Sequence, residues 1–151
     1  MTRLISALAI ALAAVLLPLS QSGYIAHASG GNNSVQTVAL HRQDCTATTV
    51  GATAGTARFS LDDQGGGNVN PNGIEIRASV TSGVPRTSYG VYVVDAACQI
   101  LASGGTLTTD DSGRGDLGFH VLGSVVPPGT NVRVELVAPG DVLTSDPTSA
   151  P

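Results

Sequence analysis

Residues 74–81, Ile-Glu-Ile-Arg-Ala-Ser-Val-Thr, decide the fold class. Ile74, Ile76, Ala78 and Val80 alternate with Glu75, Arg77, Ser79 and Thr81. A period of two sends successive side chains to opposite sides of an extended backbone, so the segment reads as a strand with one core face and one wet face.

The same pattern recurs on both sides of it. Ala57, Phe59 and Leu61 alternate with Arg58, Ser60 and Asp62, and Val132, Val134 and Leu136 alternate with Arg133 and Glu135. Leu117, Phe119 and Val121 form another inward set, with Gly118 and His120 outward. Tyr89 to Val94 is apolar at nearly every position, which predicts a central strand covered on both faces. Val35 to Arg42 and Gln99 to Thr108 add two more extended runs. No stretch after Ser29 shows a capped helical period. The reading is an all-β, antiparallel β-sandwich of about seven strands, immunoglobulin-like or prealbumin-like.

Turn residues separate the runs. Gly65 to Gly73 is a Gly/Asn/Pro loop that no strand could continue through. Asp95 to Cys98 and Asp110 to Gly113 are short enough to close hairpins, and Pro127, Pro128 and Gly129 lead into the last run. The domain is expected to span residues 35–138. Beyond Ala138 the Ser/Thr/Pro-rich residues 139–151 read as a flexible tail, in which Val142 and Leu143 add at most a short edge pairing.

Residues 1–28 read as a signal peptide. Arg3 is a short positive start, Leu4 to Leu19 an apolar run broken only by Ser6 and Pro18, and Ala26-His27-Ala28 the small-x-small pattern of a cleavage site. The run is shorter than the roughly 20 residues a bilayer span takes, which favours cleavage over a retained anchor. Residues 29–34 are Gly, Asn and Ser, expected to be a flexible leader. The chain is therefore expected to be secreted, with no membrane span after cleavage.

Removal of residues 1–28 leaves six Arg, no Lys and eleven carboxylates. Nucleic-acid binding needs clustered cations to displace counterions, so that class of partner is set aside. Export into an oxidising compartment predicts a disulfide between Cys45 and Cys98, the two Cys of the chain. The competing readings of the pair are two free buried thiols and a zinc site with His41 and His120.

Catalytic chemistry finds few candidates. His41 and His120 are the imidazoles left after cleavage, and both fall on outward positions by alternation, where they are expected to be solvated. Asp62, Asp63 and Glu75 are the carboxylates an acid–base enzyme would use, but such sites also want aromatic platforms. Phe59, Tyr89, Tyr92 and Phe119 are mostly needed in the core. Asn68, Asn70, Asn72 and Gly73 match half of a calcium loop whose last ligand position holds Ser79 in place of Glu. Asp110, Asp111 and Asp116 form a second acidic group, and Arg114-Gly115-Asp116 spells an adhesion tripeptide near a hairpin tip. Asn32-Asn33-Ser34 is a glycosylation sequon, used only in a eukaryotic source. No metal, cofactor or catalytic residue is assigned.

Thr109, Asp110 and Gly113, followed by Pro128, Gly129, Val132 and Val134, place the segment 106–136 close to a known pattern. It resembles the transthyretin-like or prealbumin-like bacterial sandwich domains, with their Thr-Asp-x-x-Gly hairpin, Pro-Gly and alternating Val strand. The resemblance implies a sandwich and brings no activity with it.

The function expected is that of a non-catalytic secreted domain that binds an extracellular protein or cell-surface component through loops or an exposed sheet face. The alternatives are a structural protein that self-associates through an edge such as Val35 to Arg42, and a carboxylate-based carbohydrate-active enzyme. The first step of this reading is directly measurable. The intact mass of the secreted protein should correspond to a chain starting at Ser29, and a product retaining Met1 would overturn the signal assignment.

Overall fold

The computed structural model describes residues 35–61 and 73–151. The signal segment, the leader with its sequon, and the loop bearing Asp62, Asp63, Asn68, Asn70 and Asn72 lie outside the described residues.

Nine strands are present among the described residues, and no helix. They are β1 (Gln36–Arg42), β2 (Thr53–Leu61), β3 (Gly73–Val80), β4 (Ser88–Asp95), β5 (Ile100–Thr108), β6 (Gly115–Leu122), β7 (Asn131–Ala138), β8 (Asp141–Ser145) and β9 (Thr148–Ser149). All pairings are antiparallel, in the order β5-β4-β7-β8-β1-β2-β3-β6, with β9 on β7. The path curls until its two end strands, β5 and β6, face each other as in a nearly closed barrel.

Alternation drives the curl. Ile74, Ile76, Ala78 and Val80 of β3 are all buried and share one core with Phe59, Tyr89, Val91, Val134 and Leu136. Burying an Ile or Val side chain contributes about 1.5–3 kcal/mol, so a strand with three of them is held firmly to the interior. At the seam, Phe119 of β6 rests on Gly104 of β5, where a Cβ would lie 2.7 Å from the ring. The β4–β5 ladder shifts register beside Gly105, whose φ of 101° suits glycine. That bulge turns β5 onto β6.

Three sequence expectations need correction. Residues 139–151 are no frayed tail: β8 lies in the sheet interior between β7 and β1, Leu143 and Thr144 are fully buried, and β9 pairs with β7. The strands there are short and polar, and their burial comes from flanking strands that no local pattern reveals. β1 is accordingly no edge, because β8 covers one side of it and β2 the other. β4 is central, as expected, but its two faces differ: Tyr89, Val91 and Val93 are buried in the core, while Gly90 and Tyr92 are partly exposed.

Cys45 and Cys98 are joined, with Cα atoms 5.7 Å apart. The bond ties the β1–β2 connection to the β4–β5 turn, at the far end of the sheet. Residues 43–45 therefore cross the outer face of β8 and β7, and the chain returns to β1 at Gly51 and Ala52. Side chains there receive them: the Cys45 N–H donates to Glu135 at 3.1 Å, Arg133 donates to the Cys45 carbonyl at 2.7 Å, and Thr144 donates to the Gln43 carbonyl at 2.8 Å. Val94 points outward by alternation from Val93, lies outside the main core, and is nonetheless fully buried.

The closed loop spans 53 positions. Chain entropy for a loop of that size corresponds to about 4 kcal/mol. Cys45→Ser should therefore lower the urea midpoint markedly, and amides of residues 43–51 should lose hydrogen-exchange protection before those of β3. An unchanged midpoint would show that the crossing segment holds without its staple.

Candidate functional site

The polar residues of the sequence reading fall into three separate places. The first is beneath the crossing segment. His41 is 8 % exposed, with Nδ1 donating to the Gly51 carbonyl at 3.1 Å and Nε2 3.4 Å from Asp146. The expectation of a solvated His41 is thus overturned, although its outward phase was right: the loop that returns over β1 covers it. His120 is exposed on β6, directly across from Glu75 of β3, and far from His41 in the strand order. The thiols are consumed in the disulfide, so Cys45 and Cys98 offer no zinc ligands.

The second place is the β5–β6 turn. Asp110 accepts from the Ser112 and Arg114 amides at 2.8 and 2.9 Å and from the Ser112 hydroxyl at 2.7 Å. These donors, the Arg114 amide first, hold its carboxyl below the ordinary range. Asp111 is lowered by its bond to the Arg86 guanidinium, and Asp116 sits on β6 beside Ser79 and Arg77. The three carboxylates serve three different partners and do not converge. Gly115 and Asp116 of the adhesion tripeptide belong to the start of β6, paired with Val80 and Ser79, while Arg114 lies on the turn.

The third place went unnoticed in the sequence. Asp141, 5 % exposed at the start of β8, accepts from the Tyr89 hydroxyl at 2.5 Å and from Arg42 Nη1 at 2.5 Å. Arg42 also donates to the Ser82 carbonyl at 2.7 Å, and the Val84 amide donates to the Tyr89 oxygen at 2.9 Å. A buried carboxylate is tolerable only when paired in this way. The cluster binds β1, β4, β8 and the β3–β4 connection at one end of the barrel, and its closed bonding makes it a structural clamp. No group of three or more metal-ligating side chains occurs among the described residues.

The two outer faces of the sheet differ. Part of the β7–β8 face is covered, where Gln43 and Cys45 rest on Thr144, Glu135 and Arg133, while Val137 of β7 stays exposed. Among the described residues nothing covers the face of β2, β3, β6 and the first half of β1, and it presents Thr37, Thr56, Arg58, Glu75, Arg77, Asp116, Gly118 and His120 to solvent. Glu75 is thus the described member of the carboxylate set considered for acid–base work, and it stands on this open face.

No family model, curated protein or solved structure matches the chain. Among the described residues no helix is long and apolar enough to cross a membrane.

The clamp makes a pH prediction. Burial, then the bond to Asp141, raises the Tyr89 hydroxyl above its ordinary value of 10.0. The unfolded chain loses that proton first, so the stabilisation is complete below about pH 10 and is lost as pH rises toward the folded value. Tyr89→Phe should cost about 1–3 kcal/mol at neutral pH, since the Val84 amide and Asp141 each lose a partner. It should also flatten the alkaline fall. Urea unfolding of both proteins between neutral and alkaline pH measures both effects.

Proposed function

We propose that this chain is an exported, non-catalytic binding module and that its recognition surface is the bare outer face of β1, β2, β3 and β6. The observation that carries the reading is the asymmetry of the two faces. One outer face is partly covered by a disulfide-anchored segment whose backbone engages Arg133, Glu135 and Thr144. The other displays charged and hydroxyl side chains at regular strand spacing on a rigid sheet. Rigid elements hold a binding constellation more closely than loops do. The partner is an extracellular or cell-surface component, in keeping with the signal segment and the disulfide.

The fold reading goes with it. The sheet path divides naturally into two four-stranded layers, β5-β4-β7-β8 and β1-β2-β3-β6, with their inner faces sharing the core. The link between them is the β1–β8 ladder of three residue pairs. That division, and the hairpin signature at Thr109, Asp110 and Gly113, support a flattened, sandwich-like domain of the transthyretin-like kind.

Envelope or matrix material from the producing organism is the test ligand. The purified protein should be retained on it, and a bulky polymer attached at Thr56→Cys, on the bare face, should abolish retention. The same polymer at Ser103→Cys, on β5 of the other layer, should leave retention intact. Absence of retention, or equal loss from both positions, would overturn the proposal.

A further inference from the structure

The bare face carries an arrangement that strand pairing alone disfavours. Arg58 of β2 lies directly opposite Arg77 of β3, and both are exposed. Side chains so paired have Cβ atoms roughly 5 Å apart, and like charges there repel. Their neighbours along the row do not relieve them: Thr37 pairs with Arg58 on one side and Gly118 with Arg77 on the other.

Three of the other basic residues show the contrast. Arg42, Arg86 and Arg133 are each bound to a specific acceptor: Asp141, Asp111 and the Cys45 carbonyl. Arg58 has no hydrogen-bond or ion-pair partner among the described residues. Arg77 has only a loose one, Asp116 at 3.7 Å, with the two side chains 61 % and 58 % exposed. Beside the pair the surface is open, because a Cβ built on Gly118 meets nothing within 4 Å.

We infer that Arg58 and Arg77 form an oxyanion subsite that receives a sulfate or carboxylate group of an anionic extracellular polysaccharide. This rests on the reading of the bare face as the recognition surface. Two guanidinium forks side by side match the oxygens of one such group and lose their mutual repulsion when it binds. Gly118 leaves room for the sugar that carries it. Protein interfaces have a core rich in aromatic and apolar side chains, and the positions around the pair are Thr37, Thr56, Ser60 and Ser79. Such a face suits a hydrated polymer. Glu75 and Asp116, in the rows on either side, confine the attraction to one oxyanion at a time.

Titration calorimetry of the intact exported protein with dextran sulfate, polygalacturonate and neutral dextran tests the inference. At least one polyanion should bind, the better of the two identifying sulfate or carboxylate as the group read, and neutral dextran should not. Arg58→Gln and Arg77→Gln should each weaken binding about tenfold or more, whereas Arg114→Gln, on the β5–β6 turn beside Asp110, should change it less than about twofold. Arg58→Gln should melt no lower than the parent, which separates lost binding from lost folding. Failure of both polyanions to bind, or an equal effect of Arg114→Gln, would overturn the subsite. If polyanion binding fails while the Thr56 conjugate still loses retention on envelope material, the oxyanion inference falls and the role of the face stands; if both fail, both fall.

Discussion

The bond between Cys45 and Cys98 decides which parts of this surface are free. Without it, residues 43–51 would be an ordinary connection between two neighbouring strands, held by a few hydrogen bonds in competition with water. With it, the connection is drawn across β8 and β7 to the opposite end of the sheet. Arg133, Glu135 and Thr144, polar by alternation and suited to solvent, become the seats of its backbone. On that outer face Thr144 is fully buried, its hydroxyl donating to the Gln43 carbonyl.

A second constraint acts at the end of the barrel. Asp141 begins β8 as a carboxylate withdrawn from water, and a charge there has to be matched. Tyr89 and Arg42 match it, and through Arg42 and the Tyr89 oxygen the β3–β4 connection is fastened too. This explains how a five-residue strand can occupy the middle of the sheet. Its apolar contribution is small, but its first residue is the meeting point of three other elements. Substitution at Asp141 would be felt at Ser82 and Val84, far away in sequence.

Much of the architecture was legible because strand periodicity is a local property. Ile74 to Val80, Ala57 to Leu61 and Val132 to Leu136 state their inward and outward sides residue by residue, and the core uses the inward set. The Asp-initiated turns at Asp95 and Asp110 were legible for the same reason, since their hydrogen bonds lie within four residues. The elements misread were those whose environment is non-local. Val142 and Leu143 carry too little pattern to announce a central strand, and His41 is outward-facing yet buried. In each case the covering group comes from a distant part of the chain: β7 and β1 for β8, Gly51 for His41.

The amino-acid sequence by itself determined an all-β chain, the inward face of its principal strands, the positions of its tight turns and the presence of two Cys able to pair. Each of these follows from backbone sterics, a period of two, or covalent chemistry, which neighbouring residues suffice to express. The tertiary structure alone decided that the last residues enter the sheet, that Asp141 is clamped by Tyr89 and Arg42, and that Arg58 stands opposite Arg77. Strand order and register set those neighbours, and they arise from the joint packing of the described strands around one core, which no single segment encodes.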